Sequence, residues 1–113
     1  MVALRSEIWI TNFNPSFGTE LHKNRPALVI SSNEVNKIHP RIIVIPISTK
    51  NYSGLSIVAI APNRSGLNEE SVILPTEIRA VDKIRLIKKI GKISKQKMIE
   101  VENAIKLVLG MEN

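Results

Sequence analysis

Residues 24–49 read NRPALVISSNEVNKIHPRIIVIPIST. Two apolar runs, Pro26 to Ser31 and Arg41 to Ile47, flank the polar connection SSNEVNKIHP. Both runs are short and rich in branched aliphatic residues, which marks them as β-strands. The second is almost unbroken Ile and Val, so both of its faces are expected to be covered. Pro46 cannot donate to a ladder and is expected at an edge, a bulge or a strand end. The connection has room for a short helical turn. Arg25 stands directly before Pro26. Proline fixes its own φ and biases the preceding residue toward extended backbone. A guanidinium is therefore held at a stiff strand mouth, and hydroxyls, Ser48 and Thr49, close the next strand.

Further strands are expected at Glu7 to Phe13, Leu55 to Ala61 and Ser71 to Leu74, with turns at KNYSG and PNRSGLN. Trp9 reads as core, and His39, before Pro40, as a turn residue. Many short β-runs at close spacing suggest a small barrel or strongly curved sheet. The C-terminus changes character. Ser94 suits an N-cap, Met98, Val101, Ile105 and Val108 recur at helical spacing, and Gly110 suits a C-cap. That stripe is a docking face for a helix on the sheet.

The chain has 113 residues, the length of one domain, 1–113. Hydrophobic residues make up 43% and mean hydropathy is +0.04, which predicts a globular, soluble protein. No apolar run approaches the roughly 20 residues of a membrane span. No partnership with a membrane is expected. There is no cysteine, which excludes disulfide and thiolate chemistry and fits a cytoplasmic setting. Net charge is +6. Between Arg79 and Lys97 eight Lys and Arg face Asp82 alone. Asp82 and Lys83 read as a turn and a structural pair. Such a basic stretch is a solvated face or an attractor of phosphate backbones.

Only His22 and His39 are present, neither with a second ligand at suitable spacing, so no metal site and no cofactor are expected. GxGxxG, GxxxxGK[ST] and GxSxG are all missing. The remaining toolkit is arginine, hydroxyls and a lone imidazole or carboxylate. Metal-free phosphodiester transfer in RNA fits it, because the 2′-hydroxyl supplies the nucleophile.

Several segments, in order, carry a resemblance. They are Asn12-Phe13-Asn14-Pro15, Gly18-Thr19-Glu20, Asn24 through Ser31, Pro46-Ile47-Ser48, Glu77 through Lys83, and Arg85-Leu86. Together they resemble the MazF/PemK (Kid) toxins of type II toxin–antitoxin pairs. The resemblance implies a mainly β fold with α, a small SH3-like curved sheet or barrel with a C-terminal helix (CcdB/PemK-like). It implies a homodimer that cleaves single-stranded RNA (mRNA) sequence-selectively without a metal. It also implies an acidic, partly disordered antitoxin that blocks the RNA groove. Arg25 matches the family's active-site arginine. Ser48, followed by Thr49, stands where the family has threonine. RNA contacts are expected from Phe17, Glu20, Lys23, Thr49, Glu77, Arg79 and Arg85, with Phe17 suited to stacking a base.

Two segments depart from the pattern. Glu20-Leu21-His22-Lys23 stands where Glu-Gln-Gly is common, and Thr76-Glu77 where an acid and Gln are common. Arginine, protonated at any ordinary pH, is a poor base. His22, on the loop before Arg25, is the candidate proton carrier. The competing class is a non-catalytic barrel module that binds RNA or a protein target such as a topoisomerase.

Overall fold

The computed structural model describes residues 2–13, 24–49, 58–62 and 65–111. Among the described residues seven strands form one curled, antiparallel half-barrel, with a helix packed on one side. The strands are β1 (Glu7–Asn12), β2 (Asn24–Val29), β3 (Arg41–Ser48), β4 (Val58–Ile60), β5 (Ser71–Ile73), β6 (Arg79–Asp82) and β7 (Leu86–Lys92). Their order is β4-β5-β3-β2-β1-β7, with β6 also paired to β3. Short helical pieces are α1 (Asn33–Ile38) and 3-10 turns at Pro75–Glu77 and Lys83–Arg85; α2 (Lys95–Leu109) closes the chain. Among the described residues no helix is long and apolar enough to cross a membrane.

Strand alternation splits the core in two. Ile8 on β1, Leu28 on β2, and Ile45 and Ile47 on β3 point to one face, where Met98, Val101 and Ala104 of α2 cover them. The residues between them, Trp9, Ala27, Val29, Ile42 and Val44, point to the other face. Phe13, just past β1, folds over that second cluster and is 1% exposed. The near-continuous run in β3 thus serves both cores. Pro46 lies inside β3, opposite Ala27 of β2. On its other flank β3 is registered with β6 at Arg41 to Val44 and with β5 at Ile47 and Ser48. Pro46 falls in the gap where one neighbour ends and the next begins, so its missing N–H breaks no ladder.

A helix of six residues has little stability alone. Here Ser32 accepts from the Val35 N–H at 3.1 Å as N-cap, and Asn36, 1% exposed, acts as a polar plug. The Asn36 amide donates to the Ser31 carbonyl at 3.1 Å, and Ser31 Oγ donates to Asn36 Oδ1. That same Oγ accepts from the Ile43 N–H at 3.0 Å. The plug ties the end of β2 to β3 and holds their register. At the C-terminus, Ser94 Oγ accepts from the Lys97 N–H at 3.0 Å, and Gly110 ends α2 at φ 72°.

Two strands went unread in the sequence. β6 and β7 lie in the basic stretch. Asp82 ends β6 and pairs with Arg41 at 3.1 Å rather than with Lys83. The Lys83 N–H instead donates to the Pro40 carbonyl at 3.1 Å. The outer flank of β7 is met by residues 65 and 66. A Cβ on Gly91 would sit 2.2 Å from the Ser65 carbonyl oxygen, so only glycine permits that approach. Gly91→Ala is therefore expected to lower unfolding free energy by about 1–3 kcal/mol. Lys88→Ala, on the exposed part of the same strand, should stay within about 0.5 kcal/mol of wild type. Urea melts of both variants check this.

Candidate nucleic-acid interface

The β1–β2 ladder sets Thr11 opposite Arg25. The β2–β3 ladder pairs Ala27 with Pro46, Leu28 with Ile45 and Val29 with Val44. The ladder ends at Ala27 and Pro46; counting two residues further along each strand puts Arg25 and Ser48 at the same level and, by alternation, on the same face. Directly opposed residues project on the same face, with Cβ atoms about 4.5–5.5 Å apart. Thr11, Arg25 and Ser48 therefore form one row across three strands, on the face of Trp9 and Phe13. Thr11 is fully buried, its hydroxyl donating to the Trp9 carbonyl at 3.1 Å. Ser48 is 7% exposed, and Arg25 is half-buried. The row thus presents a guanidinium at its solvent edge and a hydroxyl beneath. Thr49, exposed and one residue past β3, falls outside the row because alternation turns it away.

Two more of the expected residues lie on or beside this face. Arg85 Nη1 donates to the Asn12 carbonyl at 3.2 Å, one residue from Thr11. Arg79 is registered with Val44, and its guanidinium stands 5.2 Å above the centre of the Phe13 ring. Glu77 is exposed at the end of a 3-10 turn. That turn lies against α2, and the next residue, Ile78, packs on the α2-side core. No contact brings Glu77 to the row. Phe17, Glu20, His22 and Lys23 lie outside the described residues. Thr11 and Phe13 were not singled out as site residues from sequence. Nothing in a β-run distinguishes a Thr that backs an arginine from one that fills a core, and the Arg79–Phe13 contact joins positions far apart in the chain.

The same face carries a buried charge. Glu7, 6% exposed, accepts from the Leu4 N–H at 2.8 Å and from Trp9 Nε1 at 3.0 Å. Lys89 Nζ lies 2.9 Å from its other oxygen. Burial pushes the Glu7 carboxyl up, but the Leu4, Trp9 and Lys89 interactions outweigh it, and the pKa falls below its ordinary value. Trp9 is thereby oriented next to Thr11. Among the described residues no three His, Asp or Glu cluster as metal ligands would. Chemically, the row can grip a phosphate: the guanidinium offers planar paired donors and the hydroxyl one more.

Comparison with known proteins places the chain among relatives. Residues 4–109 match the family described as PemK-like, MazF-like toxin of type II toxin–antitoxin system. A protein of Staphylococcus epidermidis named Endoribonuclease MazF is 36% identical over 112 residues, covering 96% of this chain and 92% of its own. The crystal structure of MazF from Deinococcus radiodurans superposes with a TM-score of 0.83 at 24% identity, covering 98% of this chain and 99% of that one. An endoribonuclease from a mycobacterial species, solved in complex with its cognate antitoxin, gives 0.80 at 19% identity, with 98% of each chain covered. These two structures share the fold.

The lowered pKa of Glu7 sets a sign for stability. A carboxyl whose folded pKa is depressed contributes above its unfolded pKa, and the contribution fades as pH falls through the folded value. Glu7→Gln is expected to cost about 1–3 kcal/mol at pH 7, with the gap to wild type narrowing once pH drops below about 4.5. Urea melts of both proteins across pH 3 to 8 check this; a gap that widens in acid contradicts it.

Proposed function

The chain belongs to the PemK-like, MazF-like toxin family of type II toxin–antitoxin systems, and from that premise we propose that it is an endoribonuclease toxin. It cleaves single-stranded RNA sequence-selectively and without a metal ion, blocking translation until an antitoxin occupies the groove. What supports this reading is the Thr11–Arg25 pairing together with the strand alternation that puts Arg25 and Ser48 on one face.

In the proposed reaction the 2′-oxygen attacks phosphorus and the bond to the 5′-oxygen breaks. The 2′-hydroxyl proton leaves to a base, and the departing 5′-oxygen gains a proton. The products are a 2′,3′-cyclic phosphate and a 5′-hydroxyl. Negative charge builds on the non-bridging oxygens on the way. Arg25, stiffened by Pro26 and backed by Thr11, neutralises it with paired N–H donors. Ser48 donates to the same phosphate from below. Serine keeps the family threonine's hydroxyl but, without the β-methyl, has more rotamer freedom, so Ser48→Thr is compatible with activity. His22 is proposed as a proton carrier, since imidazole titrates near neutrality.

Arg85 and the lysines of β7 attract the RNA backbone, with affinity falling as salt rises. A basic groove also suits an acidic, partly disordered antitoxin as competitor. Two copies of the chain are proposed to pair. Ile84 is 90% exposed and Ile38 is 77% exposed, on segments joined by the Lys83–Pro40 hydrogen bond, and pairing would cover such apolar surface.

The test uses purified protein, single-stranded RNA and a chelator, with both fragment ends mapped. Cyclic phosphate and 5′-hydroxyl ends are expected, with Arg25→Ala and Ser48→Ala each slowing cleavage by about 100- to 1,000-fold. His22→Ala should alter the pH–rate profile between about pH 6 and 7. Intact RNA held tightly by the protein would favour a non-catalytic module. Cleavage undiminished in Arg25→Ala would remove the clamp.

A further inference from the structure

The Arg79–Phe13 contact has the form of a stacking surface rather than an ion-pair site. The guanidinium lies 5.2 Å over the ring centre, the range in which a cation is held by an aromatic face. Phe13 is 1% exposed, so its ring has no open side for a ligand, whereas Arg79 is exposed. No carboxylate pairs with Arg79 among the described residues. The planar cation is thus braced from below. Phe13 follows Thr11 by two residues, about 7 Å of extended chain, and Thr11 is the row-mate of Arg25.

Composition sharpens the point. The chain has one Trp, one Tyr and two Phe. Trp9 and Phe13 are buried, and Tyr52 and Phe17 lie outside the described residues. Proteins that read unpaired RNA stack splayed bases on aromatic rings or on arginine planes. Among the described residues an exposed arginine on the face of Arg25 stands where an aromatic would serve.

Building on the nuclease reading, we propose that Arg79, braced by Phe13, is a stacking platform for an unpaired nucleobase of the bound strand, and that it helps select where the strand is cut. Its role is planar contact with a base, not charge on a phosphate. Phe13 is the positioning residue that keeps the plane aligned.

The two roles separate by exchanging plane and charge. The probe is an RNA oligonucleotide with one 2′-deoxynucleotide at the mapped cut, which removes the nucleophile. 2-Aminopurine replaces each nearby base in turn, and its fluorescence is quenched on stacking. With wild-type protein, one position is expected to be quenched on binding. Arg79→Lys keeps charge without a plane and should abolish that quench. It should also weaken binding by about 5- to 150-fold, the equivalent of one stacked base. Arg79→Tyr keeps a plane without charge and should retain both quench and affinity. Residue 79 is exposed, and thermal melts verify that both variants fold.

The platform is overturned if Arg79→Lys binds and quenches as wild type does. It is equally overturned if Arg79→Tyr loses affinity while its salt slope falls by about 0.7, the signature of one lost phosphate contact. The fluorescence readout does not depend on cleavage: where the wild-type protein cuts no RNA, 2-aminopurine is scanned over every base of an all-ribo oligonucleotide and the same variants are compared. Failure of the wild-type protein to cut ordinary RNA would count against the nuclease reading alone.

Discussion

The register between β2 and β3 is the constraint on which the site depends. A slip of one residue would turn Arg25 or Ser48 to the opposite face, and the grip would vanish although every residue remained. Three features hold that register. Period-two alternation sends Leu28, Ile45 and Ile47 to one core and Ala27, Val29 and Val44 to the other. A one-residue slip would mix both sets. The Ser31–Asn36 plug fixes the connection between the strands, with the Ile43 N–H captured on Ser31 Oγ. Pro26 stiffens the strand end that carries the guanidinium.

Burial and charge divide the work across the sheet. The face under α2 is apolar and supplies most of the core. The opposite face mixes Trp9 and Phe13 with Glu7, Thr11 and Ser48, each of which is buried. Buried polar groups cost free energy unless they are paired, and here the pairing also orients. Glu7 holds Trp9, the Trp9 carbonyl holds Thr11, and Thr11 stands against Arg25.

Much of this was legible in the sequence, and the rest was hidden for physical reasons. β1, β2 and β3 and the capped helix α2 declare themselves by period and by Ser94 and Gly110. α1 needed only the polar connection. β6 and β7 were hidden because LIKKIGK reads as a charge run. Its lysines stand exposed on a strand at the sheet's end, where charge also discourages pairing with another chain. Pro46 suggested an edge, a bulge or a strand end, and it sits inside β3 where the neighbouring strand changes. The Asp82–Arg41 pair and the Arg79–Phe13 stack join positions remote in sequence, and no local pattern encodes them. The likeness to MazF/PemK toxins made Arg25 and Ser48 candidates, and strand alternation puts the two on one face.

A double-mutant cycle tests that relation most directly. Single-turnover RNA cleavage would be measured for wild type, Arg25→Ala, Ser48→Ala and the double variant. Two groups gripping one phosphate predict strong coupling, with the double variant little slower than the worse single variant and an interaction energy of about 1 kcal/mol or more. Effects that add to within about 0.5 kcal/mol would mean that Arg25 and Ser48 act independently, and the shared grip would be contradicted.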